Sequence, residues 1–323
     1  MGSGLFYNVA ADKNSGSDMS KMSLKSLVLL PLVAVIAVPS LAARKDKAAA
    51  KAPPCEQCAA WNADQEPFKI WGNTYYVGVK GLSSVLVTSD WGHVLLDGGL
   101  PESAPKIAAN IEKLGFKLTD VKAILSSHVH VDHAGGIAEL QRRSGAKVYQ
   151  RRPSDQVLRT GKPDPADPQF ARARPIPPVE NVWVVHDEEL LGLGPTRFTV
   201  VATPGHTPGG TTWAWESCEG AQCVKMVYAD SLNAVSAEGF RFTASTSYPN
   251  VLQDLEQSFK RVESLPCDVI VSVHPEQSDF FPRMAKRVDG KPDSIKDPEG
   301  CKRYVAAARE RLAQRVASEK QGS

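Results

Sequence analysis

The chain has 323 residues, 42% of them hydrophobic and 23% charged, which suits one large globular domain or two small ones. A formal net charge of +2 gives no basis for nucleic acid as a general partner. The N-terminal apolar stretch from Leu27 to Val38, interrupted by Pro31, is too short for a comfortable membrane span.

Residues 1–18 are polar and do not fit a signal, which leaves Met19 or Met22 as the expected start. Residues 19–43 read as an export signal, with Lys21 and Lys25 ahead of the apolar stretch. Ser40-Leu41-Ala42 or Leu41-Ala42-Ala43 supplies the small-residue cleavage site. An uncleaved anchor is the other reading of this stretch. Export places the mature chain in the periplasm, with no stable membrane insertion after cleavage. Residues 44–66 are a linker and N-terminal segment, rich in Lys, Ala and Pro from Arg44 to Pro54. The folded domain is expected over 67–318.

The six cysteines agree with an oxidising compartment and fall as Cys55/Cys58, Cys218/Cys223 and Cys267/Cys301. Cys218 and Cys223 bracket a hairpin tip, and Cys267 and Cys301 are placed to tie a late strand to the C-terminal helix. Cys55-x-x-Cys58 resembles a redox or zinc motif, but without a second pair it reads better as structural. Three bridges are expected, the first pair resting on the least.

Phe68–Trp71, Thr74–Val77, Ser84–Val87 and His93–Leu96 read as successive strands joined by Gly72-Asn73 and Asp90-Trp91-Gly92 turns, hence antiparallel. His93 has no companion ligand nearby and is read as structural. Asp97-Gly98-Gly99 ends the fourth strand. Asp97 is either a simple turn residue or a carboxylate that accepts a hydrogen bond from a metal-bound imidazole and fixes its tautomer. An amphipathic helix from Ala104 to Leu114 stops at Gly115 and leads to the apolar strand Val121–Leu125.

The next stretch, Ser126-Ser127-His128-Val129-His130-Val131-Asp132-His133-Ala134-Gly135-Gly136, places four metal-capable side chains within six residues. On extended backbone His128 and His130 point the same way. Asp132 and His133 follow on the turn into a helix running to about Arg143. Imidazoles and a carboxylate so crowded are a zinc signature.

Residues 150–178 hold seven prolines and several arginines and read as a partly ordered flap beside the site. Arg151, Arg152, Arg172 and Arg174 form either a solvated face or a means of steering an anionic substrate. Strands resume at Trp183–Val185 and Phe198–Val201, and Thr203-Pro204-Gly205-His206-Thr207-Pro208-Gly209-Gly210 then holds a His on a rigid turn at a strand end. His186 is read as structural. Thr211–Trp215 and Val224–Tyr228 pair across the Cys218/Cys223 tip and deliver Ala229-Asp230-Ser231-Leu232-Asn233. A helix over Asp254–Val262 precedes the strand Val269–Val273, which ends in His274-Pro275. A last amphipathic helix covers 302–318, with Val305, Ala308, Leu312 and Val316 on one side.

The inventory is therefore His128, His130, His206, Asp132, His133 and His274, enough for two zinc ions with three protein ligands each. His-x-His-x-Asp-His, Pro-Gly-His-Thr-x-Gly, Asp-Ser and a strand ending in His-Pro together resemble the metallo-β-lactamase superfamily, and more narrowly the third subclass of class B β-lactamases. The resemblance runs from about residue 68 to 318. It implies an α/β fold, a four-layer αβ/βα sandwich with two zinc ions at one edge of its sheets. Carried over, His128, His130 and His206 hold the first zinc, and Asp132, His133 and His274 hold the second. The first subclass has cysteines where this chain has His133 and, near the site, Ser231.

The resemblance further implies hydrolysis of the β-lactam amide of penicillins, cephalosporins and carbapenems by a metal-activated water. Asp132 orients that water, and Ser231 contacts the substrate's carboxylate. Asn233 stands where relatives often have Ser or Thr; ordinary loop chemistry is the alternative for both residues. The partner is a small-molecule β-lactam, and the chain is expected to act as a monomer. A glyoxalase II-like thioesterase or a lactonase would share the fold and first motif and use a bridging carboxylate near residue 230, a place Asp230 could fill. A non-enzymatic zinc module fits less well, because a structural zinc normally closes its shell with four ligands.

Overall fold

The computed structural model describes residues 55–321. The extension, the export signal and the linker up to Pro54 lie outside the described residues. Among the described residues, twelve strands form two sheets. The first sheet runs β1 (Phe68–Trp71), β2 (Thr74–Tyr76), β3 (Val85–Val87), β4 (His93–Leu96), β5 (Val121–Leu125), β6 (Lys147–Arg151) and β7 (Val182–Val185), in chain order across the sheet. The second is built from β8 (Leu190–Leu193), β9 (Thr196–Ala202), β10 (Thr211–Glu219), β11 (Gln222–Ala229) and β12 (Val269–Ser272), lying in the order β12-β11-β10-β9-β8. Helices are α1 (Cys58–Trp61), α2 (Ala104–Lys113), α3 (Val131–Ala134), α4 (Ile137–Ser144), α5 (Ser154–Thr160), α6 (Val251–Ser264), α7 (Phe280–Met284) and α8 (Gly300–Gln321).

Connection length sets strand direction. The short turns between β1 and β4 give antiparallel pairs, as expected, whereas β4–β5, β5–β6 and β6–β7 are parallel because a helix intervenes in each connection. β11 and β12 are parallel for the same reason, with α6 as the crossover. Strand side chains alternate, and both faces of the first sheet are buried. Val85, Val87, Val94 and Leu96 enter the core between the sheets, where they join Phe198, Trp213, Trp215 and Tyr228. Leu86 and Leu95 face the other way, into a second core with Ile107 and Ile111 of α2 and Leu140 of α4. A third core packs α6 and α8 on the outer face of the second sheet through Leu255, Phe259, Tyr304 and Val305. The layers are therefore helix, sheet, sheet, helix.

All three disulfides form, Cys55–Cys58 included. The expectation of a flap over 150–178 is corrected in part. Arg151 closes β6, and α5 occupies Ser154–Thr160, with Gly161 as a left-handed cap. Prolines at 153 and 163 left nine proline-free residues between them, among them Val157 and Leu158, which bury on the second core. Arg151 is not on a solvated face either, since its guanidinium donates to the Gly210 carbonyl at 3.1 Å. Strand β8 is not legible in the sequence, because Leu190-Leu191-Gly192-Leu193 has no period-two polarity. The fold as a whole is the expected α/β sandwich.

Candidate metal centre

The six expected ligands converge from three separate parts of the chain. After β5, Ser126 and Ser127 lead to His128, and His130 takes the extended N-cap position of α3, its carbonyl accepting the amides of His133 and Ala134. Asp132 and His133 thus sit on the first turn of a four-residue helix. His206 comes from the turn between β9 and β10, where Gly205 has φ +130° and a Cβ would lie 2.5 Å from Leu255 Cγ, so only glycine fits. His274 follows the end of β12.

Two trios result, His128/His130/His206 and Asp132/His133/His274, each with its candidate ligand atoms within 4.8 Å of one another. In the second trio Nε2 of His133 and Nε2 of His274 stand 3.2 Å apart, and Oδ2 of Asp132 is 3.3 and 3.4 Å from them. The His128 ring is 4.4 Å from that of His133, which brings the trios side by side.

Most imidazoles are oriented by an acceptor on the nitrogen that faces away from its trio. Nδ1–H of His128 donates to Asp230 (2.8 Å), Nε2–H of His130 to Asp167 (2.8 Å), Nδ1–H of His206 to the Asn233 carbonyl (2.8 Å) and Nδ1–H of His274 to the Gly81 carbonyl (3.1 Å). Each donation fixes a tautomer and leaves the opposite nitrogen as a lone pair. Nε2 of His128, buried and without a hydrogen-bond partner among the described residues, is one such atom. A buried unpaired acceptor is costly in an apolar setting, and a cation there would satisfy it. The donor set of imidazoles and one carboxylate, with orienting acceptors behind them, fits zinc.

The electrostatics agree. Burial pushes the His128 imidazole well below its usual range, reinforced by its three neighbouring imidazoles, and holds His206 down to about 3. Burial would raise Asp132, but the His133 and His274 imidazoles outweigh it and hold the carboxyl well below the carboxylate norm. Burial likewise lowers His133, so three imidazoles are held toward the neutral form beside an ionised Asp132, the forms that bind a metal. At His130 and His274 burial is outweighed by the Asp167 and Asp132 carboxylates respectively, which raise both.

Asp97 does not take the role offered to it. Its carboxylate accepts the Ser127 amide (2.7 Å), the Ser127 hydroxyl (2.6 Å) and the Tyr228 hydroxyl (2.9 Å), bracing the backbone before His128 rather than an imidazole. Burial raises its carboxyl to about 7 against those hydrogen bonds. Asp230, weighed as a bridging ligand, is instead the carboxylate behind His128, fully buried and outside both trios. The proline-rich setting of Asp167 hides it in the sequence, and the Gly81 and Asn233 carbonyls carry no sequence signal at all.

Ser231 and Asn233 line a cavity of ≈ 610 Å³ with His130, Asp132, His206 and His274, and Asn233 Nδ2–H donates to Gln277 Oε1 at 3.0 Å. Arg172, Arg174 and the Cys55–Trp61 segment complete its wall. His93 stacks edge-on against Phe116, away from the site, as a structural residue.

A family model described as the Metallo-beta-lactamase superfamily matches residues 77–274. The chain is similar to the solved Rm3 metallo-beta-lactamase, with 56% identity and a TM-score of 0.80 over 83% of this chain and 100% of that one. It is similar, too, to MEM-A1, a subclass B3 metallo-beta-lactamase isolated from a soil metagenome library, with 48% identity and a TM-score of 0.80 over 81% of this chain and 100% of that one. A hydroxyacylglutathione hydrolase of Rhodopseudomonas palustris is 36% identical over 107 residues, 33% of this chain and 32% of that protein. The chain spans about half or less of the length of the curated relatives it matches. Matched by the family model over more than half its length and aligned over 81–83% of its length with such solved relatives at 48–56% identity, the chain belongs to the metallo-β-lactamase superfamily and, within it, to subclass B3.

Proposed function

We propose that this chain hydrolyses the amide bond of β-lactams, penicillins, cephalosporins and carbapenems among them, using two zinc ions, and so confers antibiotic resistance. The observation that carries the reading is the pair of adjoining trios, four of whose six residues line one cavity. His128, His130 and His206 would hold the first zinc, and Asp132, His133 and His274 the second. Bound zinc supplies Lewis acidity and lowers the pKa of water from ~15.7 to ~7.

The residues supply the rest. Asp132 stays ionised and accepts a hydrogen bond from the attacking water, aiming its lone pair at the lactam carbonyl. Ser231 Oγ and Asn233 Nδ2, on the cavity wall, meet the substrate's carboxylate. Asp97 acts one step behind, keeping the Ser127–His128 backbone in place. No serine is acylated, so serine-directed inactivators should leave the enzyme untouched, while thiol chelators should inhibit it. The three disulfides suit an exported protein, and we place it in the periplasm as a monomer. No helix among the described residues is long and apolar enough to cross a membrane.

The thioesterase reading rests on the hydroxyacylglutathione hydrolases among the relatives, but the carboxylate it needs near residue 230 is committed behind His128. Zinc stoichiometry tests the assignment. His206→Ala and His274→Ala should each retain one zinc of two and lose nearly all β-lactam hydrolysis; two zincs in both variants would contradict the ligand sets.

A further inference from the structure

His274 is braced by a part of the chain far from it in sequence. Its Nδ1–H donates to the Gly81 carbonyl (3.1 Å), and the Gly81 amide donates in turn to the Trp61 carbonyl (2.9 Å). The Lys80 amide adds a second rung to the Ala63 carbonyl at 2.9 Å. The Trp61 ring itself lies against the His274 imidazole, with centroids 4.9 Å apart and planes at 53°. The fit is tight, because a Cβ on Gly81 would stand 2.7 Å from both Cα and Cδ1 of Trp61.

We propose that Trp61 is a positioning residue for the second metal. One hydrogen bond at Nδ1 fixes the tautomer of His274 but not the tilt of its ring. The indole beside it limits that tilt, so Nε2 stays aimed at Asp132 and His133. The Trp61 carbonyl reaches the same imidazole through Gly81. The segment around α1, read from sequence as part of a linker, is therefore a working part of the site. The inference rests on the two-zinc reading.

The test is a competition titration of the zinc-loaded mature protein with a chromophoric chelator, which resolves two dissociation constants. Removing an outer support of a metal ligand typically weakens binding ~10–100-fold. Trp61→Ala should weaken one zinc ~10-fold or more and leave the other within about twofold. Trp61→Phe, which keeps an aromatic ring beside His274, should restore most of the loss. Gly81→Ala, which displaces the support from the other side, should reproduce it. In a His274→Ala background, Trp61→Ala should change the remaining zinc by less than about twofold. Melting of the loaded variants reports whether they fold. Unchanged constants in Trp61→Ala, or equal weakening of both zincs, would overturn the proposal. Wild-type protein that binds fewer than two zincs would overturn the reading beneath it as well.

Discussion

Asp230 and Asp167 show how single residues set the site. Each carboxylate accepts a hydrogen bond from one N–H of an imidazole and leaves the other nitrogen as a lone pair, so each lies outside the candidate trios yet decides where a ligand nitrogen points. Asp230→Ala should weaken the first zinc by ~10–100-fold while sparing the second, a difference the same chelator titration resolves. It also strands Nδ1–H of His128 in a dry interior, at a cost of about 1–3 kcal/mol to the fold. Equal zinc affinity in wild type and variant would remove Asp230 from its role. The candidate ligands were legible in the sequence because five imidazoles at strand ends and turns have little structural reason to gather. Their orienting partners were not, since two are backbone carbonyls that any residue can supply. Asp97 misled because it resembles Asp230 in setting, a carboxylate at the end of a strand. Only the fold decides which of the two reaches an imidazole.

Between elements, small residues let the site-bearing segments meet. Gly136 before α4 packs on the turn after β4, where an added Cβ would lie 2.2 Å from the Gly98 carbonyl oxygen. The Gly98 amide in turn donates to the His133 carbonyl at 2.9 Å. Gly136→Ala must push that turn away, so it should cost about 1–3 kcal/mol in urea unfolding and loosen the second zinc through His133. Unfolding midpoints and zinc affinity matching wild type would show that the turn yields freely.

At the far side, α8 clasps the segment that follows Ser231 and Asn233. Glu319 accepts the amides of Phe242 and Thr243 at 3.0 and 2.9 Å and a hydrogen bond from Arg315 at 2.7 Å. Burial alone would raise its carboxyl, but these donors hold it down to about 2 from 4.5. A depressed folded-state value means stabilisation that is complete above pH ~4.5 and lost as pH falls toward ~2. Glu319→Gln should therefore cost on the order of 2–3 kcal/mol at pH 7, and the gap should shrink between pH 5 and 3. A gap that stays constant with pH would contradict this. The helix was legible as an amphipathic stripe, yet the expected end at 318 excluded its most consequential carboxylate. Helix ends fray in sequence patterns because their contacts are tertiary.

For the whole molecule, the two sheets could be read from period-two strands and short turns, while the parallel crossovers emerged only where helices separate the strands. Disulfide pairing was legible from local spacing at Cys218/Cys223, where a hairpin brings the ends together. Cys267–Cys301 closes 34 residues and ties the start of β12 to α8. By chain entropy it should contribute about 4 kcal/mol, so selective removal should lower the melting temperature without changing zinc stoichiometry.

The candidate metal ligands come from three stretches of chain that the unfolded state cannot hold together, so zinc should bind mainly the folded form. At a free concentration 100 times its Kd, each zinc would add about 2.7 kcal/mol, and chelation should lower the melting temperature reversibly. The central claim is the reaction. The direct measurement is kcat/KM of the zinc-loaded mature protein, in one buffer, for a penicillin, a cephalosporin, a carbapenem, a lactone and a glutathione thioester. The three β-lactams, the carbapenem included, should be turned over far faster than the other two, and chelation should abolish all turnover until zinc is returned. Faster hydrolysis of the thioester or the lactone than of every β-lactam would contradict the assignment.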